Sequence, residues 1–119
     1  MGYGGGILGA GINTNGSVIC ESCWSNGNIS GTNSGGICGS GWNLLTVLNC
    51  YSTGLISGEN SGGICGAYQG GENLVLISGC YSLGNITGFA SGGIAGAFGN
   101  NLTILNCYSS GTRKYIKVY

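Results

Sequence analysis

The sequence predicts an all-β fold, a parallel β-solenoid of about four coils of 27–30 residues with three short strands per coil, wound right-handed by expectation. Three observations predict it. First, the phrase Ser34-Gly35-Gly36-Ile37-Cys38-Gly39 returns as Ser61-Gly62-Gly63-Ile64-Cys65-Gly66 and as Ser91-Gly92-Gly93-Ile94-Ala95-Gly96, with an earlier form in Gly4-Gly5-Gly6-Ile7-Leu8-Gly9. The isoleucines in it are spaced by 30, 27 and 30 residues. Second, a Cys-Tyr/Trp-Ser phrase alternates with it, starting at Cys23, Cys50, Cys80 and Cys107, with spacings of 27, 30 and 27. Third, 28 of the 119 residues are glycine, and glycine costs about 1 kcal/mol in a helix interior relative to alanine, which disfavours helical repeats. A propeller blade runs to about 40 residues or more, and collagen needs glycine at every third position, a pattern absent here.

Within one coil the elements follow in order. A first strand is expected over residues 36–39, a second over 44–49 and a short third over 55–57. Turns then fall at 39–41, 49–54 and 58–62, where glycine would supply positive φ or room for close backbone approach. The third copy carries Gln69-Gly70-Gly71-Glu72 where the second has Trp42, so its turn is expected to bulge outward.

Stacked coils place equivalent residues about 4.8 Å apart, so aligned positions become columns. The columns are Ile7, Ile37, Ile64 and Ile94; Leu8, Cys38, Cys65 and Ala95; Val18, Leu45, Val75 and Leu102; and Cys20, Val47, Ile77 and Ile104. Intervening positions such as Ile19, Thr46, Leu76 and Thr103 are mixed, the period-two mark of one buried and one exposed face. Ile29, Ile56 and Ile86 form another inward column whose fourth position is Arg113. Burying a charge there is costly, so the regular solenoid is expected over 1–111, with 112–119 a capping or connecting tail.

Cys23, Cys50, Cys80 and Cys107 are expected to face inward as small hydrophobes. Their neighbours Trp24, Tyr51, Tyr81 and Tyr108 then stack along an outer edge or corner. Ser25, Ser52, Ser82 and Ser109 suggest a hydroxyl ladder, and Asn49 and Asn106 local side-chain bonds at the bend. The seven cysteines are odd in number, so full internal pairing is impossible. Adjacent coils leave open a Cys23–Cys50 and a Cys80–Cys107 bridge, although in-register side chains need not point correctly. Cys20-Glu21-Ser22-Cys23 has CxxC spacing, but without histidine or a second such pair it is a weak zinc or redox signal.

These phrases resemble the GLUG-motif family of glycine-rich repeats. The resemblance rests on Gly36-Ile37-Cys38-Gly39 followed by Asn49-Cys50-Tyr51-Ser52-Thr53-Gly54-Leu55-Ile56-Ser57-Gly58, and on Gly79-Cys80-Tyr81-Ser82-Leu83-Gly84-Asn85-Ile86-Thr87-Gly88, and covers nearly all of 4–111. It implies an adhesin-like β-helical stalk of a cell-surface protein and brings no catalytic residue. Trp24 in place of Tyr, Leu8 and Ala95 in the cysteine column, and Arg113 depart from the pattern.

Charge and chemistry narrow the function classes. The formal net charge is zero, with three basic residues, Arg113, Lys114 and Lys117, all near one end; this argues against nucleic acid as a partner. No run of about 18 apolar residues is present, so no helix is expected to insert in a membrane. The carboxylates, Glu21, Glu59 and Glu72, fall at different phases of the repeat, and a serine triad lacks its histidine. The Gly-Gly pairs lack the Gly-Lys-Ser/Thr of a phosphate loop. The chain is therefore expected not to be an enzyme and to need no cofactor. The leading expectation is a structural repeat module of a surface fibre, adhesin-like protein or self-assembling particle, located outside the cell or on a particle surface. It would associate with itself or with other structural subunits through coil ends or sides, since weak net charge opposes association little. The alternative is a binding module that meets glycan or protein through an exposed aromatic or polar face; the threonines Thr14, Thr32, Thr46, Thr53, Thr87 and Thr103 form no single column. Asn15, Asn28, Asn85 and Asn101 match the glycosylation pattern, which arises easily in such a composition.

Overall fold

The computed structural model describes residues 4–9, 17–41, 44–67, 74–97 and 99–113. The expected bulge at 69–72, Trp42, and the tail beyond Arg113 lie outside them.

The fold is a parallel β-solenoid. Four-residue strands β1 (Val18–Glu21), β3 (Leu45–Leu48), β5 (Val75–Ser78) and β7 (Leu102–Leu105) form one sheet, and two-residue strands β2 (Trp24–Ser25), β4 (Tyr51–Ser52), β6 (Tyr81–Ser82) and β8 (Tyr108–Ser109) form a second. All pairings are parallel and in repeat register: Val18 on Leu45, Leu45 on Val75, Val75 on Leu102, and Trp24 on Tyr51, Tyr51 on Tyr81, Tyr81 on Tyr108.

The distribution of strand within a coil differs from the expectation. The segment expected as the first strand, 36–39, is a bend between two bridges, seen at Gly35↔Gly62 and Cys38↔Cys65. Its middle residues are held by a shared acceptor: Ile37 N and Cys38 N both donate to Ile64 O, each at 2.9 Å. The expected third strand is a single bridge, Ile29↔Ile56↔Ile86. Conversely, the stretch 49–54, expected as a turn, contains β4. There Cys50 and Ser52 point inward on either side of outward Tyr51, and this alternation is what a pleated strand requires. The long strands keep to four residues because both ends run into corners.

Glycine fills both expected roles at those corners, and non-glycine residues share the left-handed positions. Of the glycines described, Gly41 and Gly79 have positive φ. The remaining left-handed residues are Ser22, Asn33, Asn49, Asn60, Ala90 and Asn106, at φ 54–60°. Asparagine tolerates this region better than most L-residues. Glycine also serves close approach. A Cβ on Gly54 would overlap the carbonyl oxygen of Gly27 in the coil before it, and one on Gly84 that of Gly54.

The interior has two parts. The larger contains Cys20, Ile37, Cys38, Leu45, Val47, Cys50, Ile64, Cys65, Val75, Ile77 and Cys80, all buried; the smaller is Ile29, Ile56 and Ile86. The waist between them is where Gly63 faces Ser82, whose side chain would meet any Cβ at that position. Arg113 bridges to Ile86, at the fourth position of the Ile29, Ile56 and Ile86 column where the sequence places it. Its charge avoids burial: the side chain is exposed, and Nη1 donates to Ser91 O at 2.8 Å.

Candidate functional site

The repeated side chains do three kinds of work. Two of them are ladders at the corners. A left-handed residue, Asn33 or Asn60, turns the chain, and the serine after it closes the corner. Ser61 Oγ donates to Gly31 O of the preceding coil at 2.8 Å and accepts from Ser34 N at 3.1 Å; Ser91 Oγ does the same with Gly58 O at 2.6 Å and Ser61 N at 3.0 Å. The second corner repeats the arrangement with sulfur. Ser22, Asn49, Gly79 and Asn106 stand at positive φ, each followed by a cysteine. Cys50 Sγ donates to Leu48 O at 3.3 Å and accepts from Cys23 N at 3.4 Å. Cys80 and Cys107 continue the series, accepting from Cys50 N and Cys80 N, each at 3.4 Å. The inward orientation expected for this column is found, and the seven cysteines are free thiols. The cysteine column follows from the repeat phrases, whereas the Ser34, Ser61 and Ser91 ladder is an addition to what they predict. The signal was present: Ser34, Ser61 and Ser91 each follow an Asn or Ala at the same phase.

The serine column that was expected to form a ladder does not. Ser52 and Ser82 are fully buried, and their hydroxyls have no hydrogen-bond partner among the described residues. They are small inward residues that fit against the glycines opposite. Asn49 and Asn106 act through their left-handed backbone, and amide side-chain bonds come from Asn28 and Asn85, which accept from Leu55 N at 3.0 Å and Thr112 N at 2.9 Å.

The third feature is the aromatic stack on the outside. Successive ring centroids of Trp24, Tyr51, Tyr81 and Tyr108 are 6.0, 4.9 and 5.2 Å apart, with interplanar angles of 9°, 1° and 5°. Each inner ring has a ring on both faces, so among the described residues the stack leaves one ring face unstacked at Trp24 and one at Tyr108. Desolvation, with the neighbouring phenols of Tyr51 and Tyr108, raises the Tyr81 pKa.

Burial also holds thiols protonated. Desolvation pushes Cys20 and Cys50 up and Cys80 up to about 12, while Cys38 is raised first by its hydrogen bond to Cys65 and then by burial. Thiolate chemistry at neutral pH is thereby suppressed in the interior. Glu21 and Glu59 are exposed on different parts of the coil, and Glu72 lies outside the described residues. A cleft of about 240 Å³ beside the first coil is lined by glycines, serines, Asn28 and Ile29, with no ionisable side chain. No described helix is long and apolar enough to cross a membrane.

No family model, no curated protein and no solved structure matches this chain. The functional reading therefore rests on the columns, the corners and the two ends of the stack.

Proposed function

We propose that this solenoid is a non-catalytic structural module that associates with further copies, coil edge to coil edge, as part of a surface fibre, an adhesin-like stalk or a self-assembling particle. The observation that carries this reading is the contrast between inner and outer coils. Ile37 and Ile64 are 0% exposed, whereas Ile7 in the same column is 47% exposed. Val47 and Ile77 are 0% exposed, whereas Ile104 is 42%. Among the described residues, the outer coils thus keep the backbone register and apolar columns of the inner ones with those side chains more exposed. A parallel strand edge with aligned apolar side chains is a template for another chain, and the zero net charge does little to oppose the approach. The GLUG-like phrases support the surface-stalk form of the proposal.

Sedimentation velocity across a hundredfold concentration range tests it. The expected result is a concentration-dependent series of elongated oligomers, reduced to monomer by Ile104→Lys, whose charge sits on the open edge. A wild-type chain that stays monomeric at the highest concentration overturns it. The alternative, recognition of glycan or protein by the aromatic stack, is less favoured because ring faces are already occupied by neighbouring rings.

A further inference from the structure

The cysteine columns converge at one place only. The Cys23, Cys50, Cys80 and Cys107 column is cysteine throughout, and the column containing Cys38 and Cys65 is cysteine in the middle two coils. The column facing them reads Cys20, Val47, Ile77 and Ile104, so it adds a thiol only in the first coil. There the sulfurs of Cys20, Cys23 and Cys50 all lie within 4.8 Å of one another. Cys20 is their hub: Cys50 Sγ donates to Cys20 O at 3.6 Å, and the Cys20 thiol is close enough to Cys23, Cys38 and Cys50 for each to perturb its ionisation. Cys20 and Cys50 are buried, while Cys23 is partly open to solvent and gives the cluster a way in.

We propose that Cys20, Cys23 and Cys50 form a binding site for a single soft d10 cation, Cu(I) or Zn(II). A metal–sulfur bond of about 2.3 Å places ligand sulfurs roughly 4 Å apart in trigonal or tetrahedral geometry, so the three thiols need to contract by less than about an ångström. An all-sulfur donor set selects thiophilic ions over Mg(II), Ca(II) or Mn(II). On binding, each ligand thiol releases its proton to solvent and the sulfur becomes a thiolate held by the ion, with no change of oxidation state. The cation offsets part of the thiolate charge, and the net negative charge left on the site falls nearest solvent at Cys23, the partly exposed ligand. Because Cys20 and Cys23 belong to the first coil and Cys50 to the second, the ion ties an outer coil to the inner stack. This site is independent of the self-association proposed above.

The position equivalent to Cys20 in the second coil is Val47, so Cys20→Val removes the hub while keeping a side chain the fold already accepts there. The full chain, reduced and freed of metal under anaerobic conditions, is titrated with Cu(I) against a chromogenic Cu(I) chelator and, separately, with Zn(II) against a chromogenic Zn(II) chelator. The expected result is one equivalent of at least one of these ions bound in competition with the chelator, with a rise in melting temperature. Cys20→Val should lose both effects while keeping the wild-type circular dichroism, and Cys107→Ser should keep both. The ion that wins the competition identifies the source. Failure of the wild type to take either ion from the chelator overturns the proposal. So does one-equivalent binding that survives both Cys20→Val and Cys23→Ser, since that would place the ion among other thiols. Should Cys20→Val misfold, Cys23→Ser at the partly exposed ligand gives the same reading.

Discussion

At the scale of single residues, space rather than flexibility sets most of the composition. Gly63 is the sharpest case. A Cβ there would overlap both the Ser82 side chain across the waist and the carbonyl of Gly93 in the next coil. One of those obstacles is backbone held in a ladder, so it cannot rotate away. Gly63→Ala is therefore expected to destabilise the chain by at least the ~1–3 kcal/mol typical of overpacking, read as a lower urea midpoint. Gly4→Ala, where nothing lies within 4 Å of the added Cβ, is its control and should be nearly silent. Equal effects at the two positions would mean that the waist is not close-packed. The buried, unpartnered hydroxyls of Ser52 and Ser82 fit the same picture: an interior position this narrow accepts serine for its size.

At the scale of elements, the corners are the organising units. Each couples a left-handed residue to a side chain that bonds to both its own coil and a neighbouring one. Buried sulfur, at the cysteine corner and elsewhere in the interior, makes stability depend on pH. The folded pKa values of Cys20, Cys38, Cys50 and Cys80 are raised above the ordinary thiol value of 9.0. Above that pH the unfolded chain loses thiol protons that the folded chain retains, so unfolding becomes progressively easier. The stabilisation is complete below about pH 9 and declines as pH rises beyond it. Urea midpoints of the reduced, metal-free protein should be flat from pH 7 to 8 and fall between pH 9 and 10.5. Cys80→Val should make that fall shallower. A midpoint independent of pH up to 10.5 would show that these thiols ionise as readily in the fold as out of it.

At the scale of the whole molecule, the chain is one repeated solution stacked on itself, and its contacts are between neighbours. Asn49 and Gly79 occupy the same left-handed corner before Cys50 and Cys80. Excising residues 50–79 therefore joins Asn49 to Cys80 and leaves a corner of unchanged form. In such arrays stability is close to a sum of repeat and interface contributions. The shortened chain is expected to keep its β-type circular dichroism and to unfold at lower urea with a smaller m-value, because less surface is buried. Complete loss of structure would show that the inner coils are not interchangeable. The outer coils carry the consequence for function, since their described apolar residues, such as Ile7 and Ile104, are exposed where the inner equivalents are buried.

The periodicity of the sequence by itself determined the solenoid, the alignment of Ile37 with Ile64 and Ile94, and the inward cysteine column. In a stack, residues one period apart must share an environment, so repetition in the chain translates directly into position in space. It also located the aromatic stack, because Tyr51 and Tyr81 alternate with inward neighbours. Tertiary structure alone decided which segments pair as strands and which only bridge, since Gly-rich and Tyr-containing stretches are told apart by how closely the next coil approaches. It likewise gave four of the left-handed corner positions to asparagine, beside Gly41 and Gly79, and brought Cys20, Cys23 and Cys50 together. Such a cluster depends on where three different columns face one another around the coil, an angular relation that spacing along the chain does not encode.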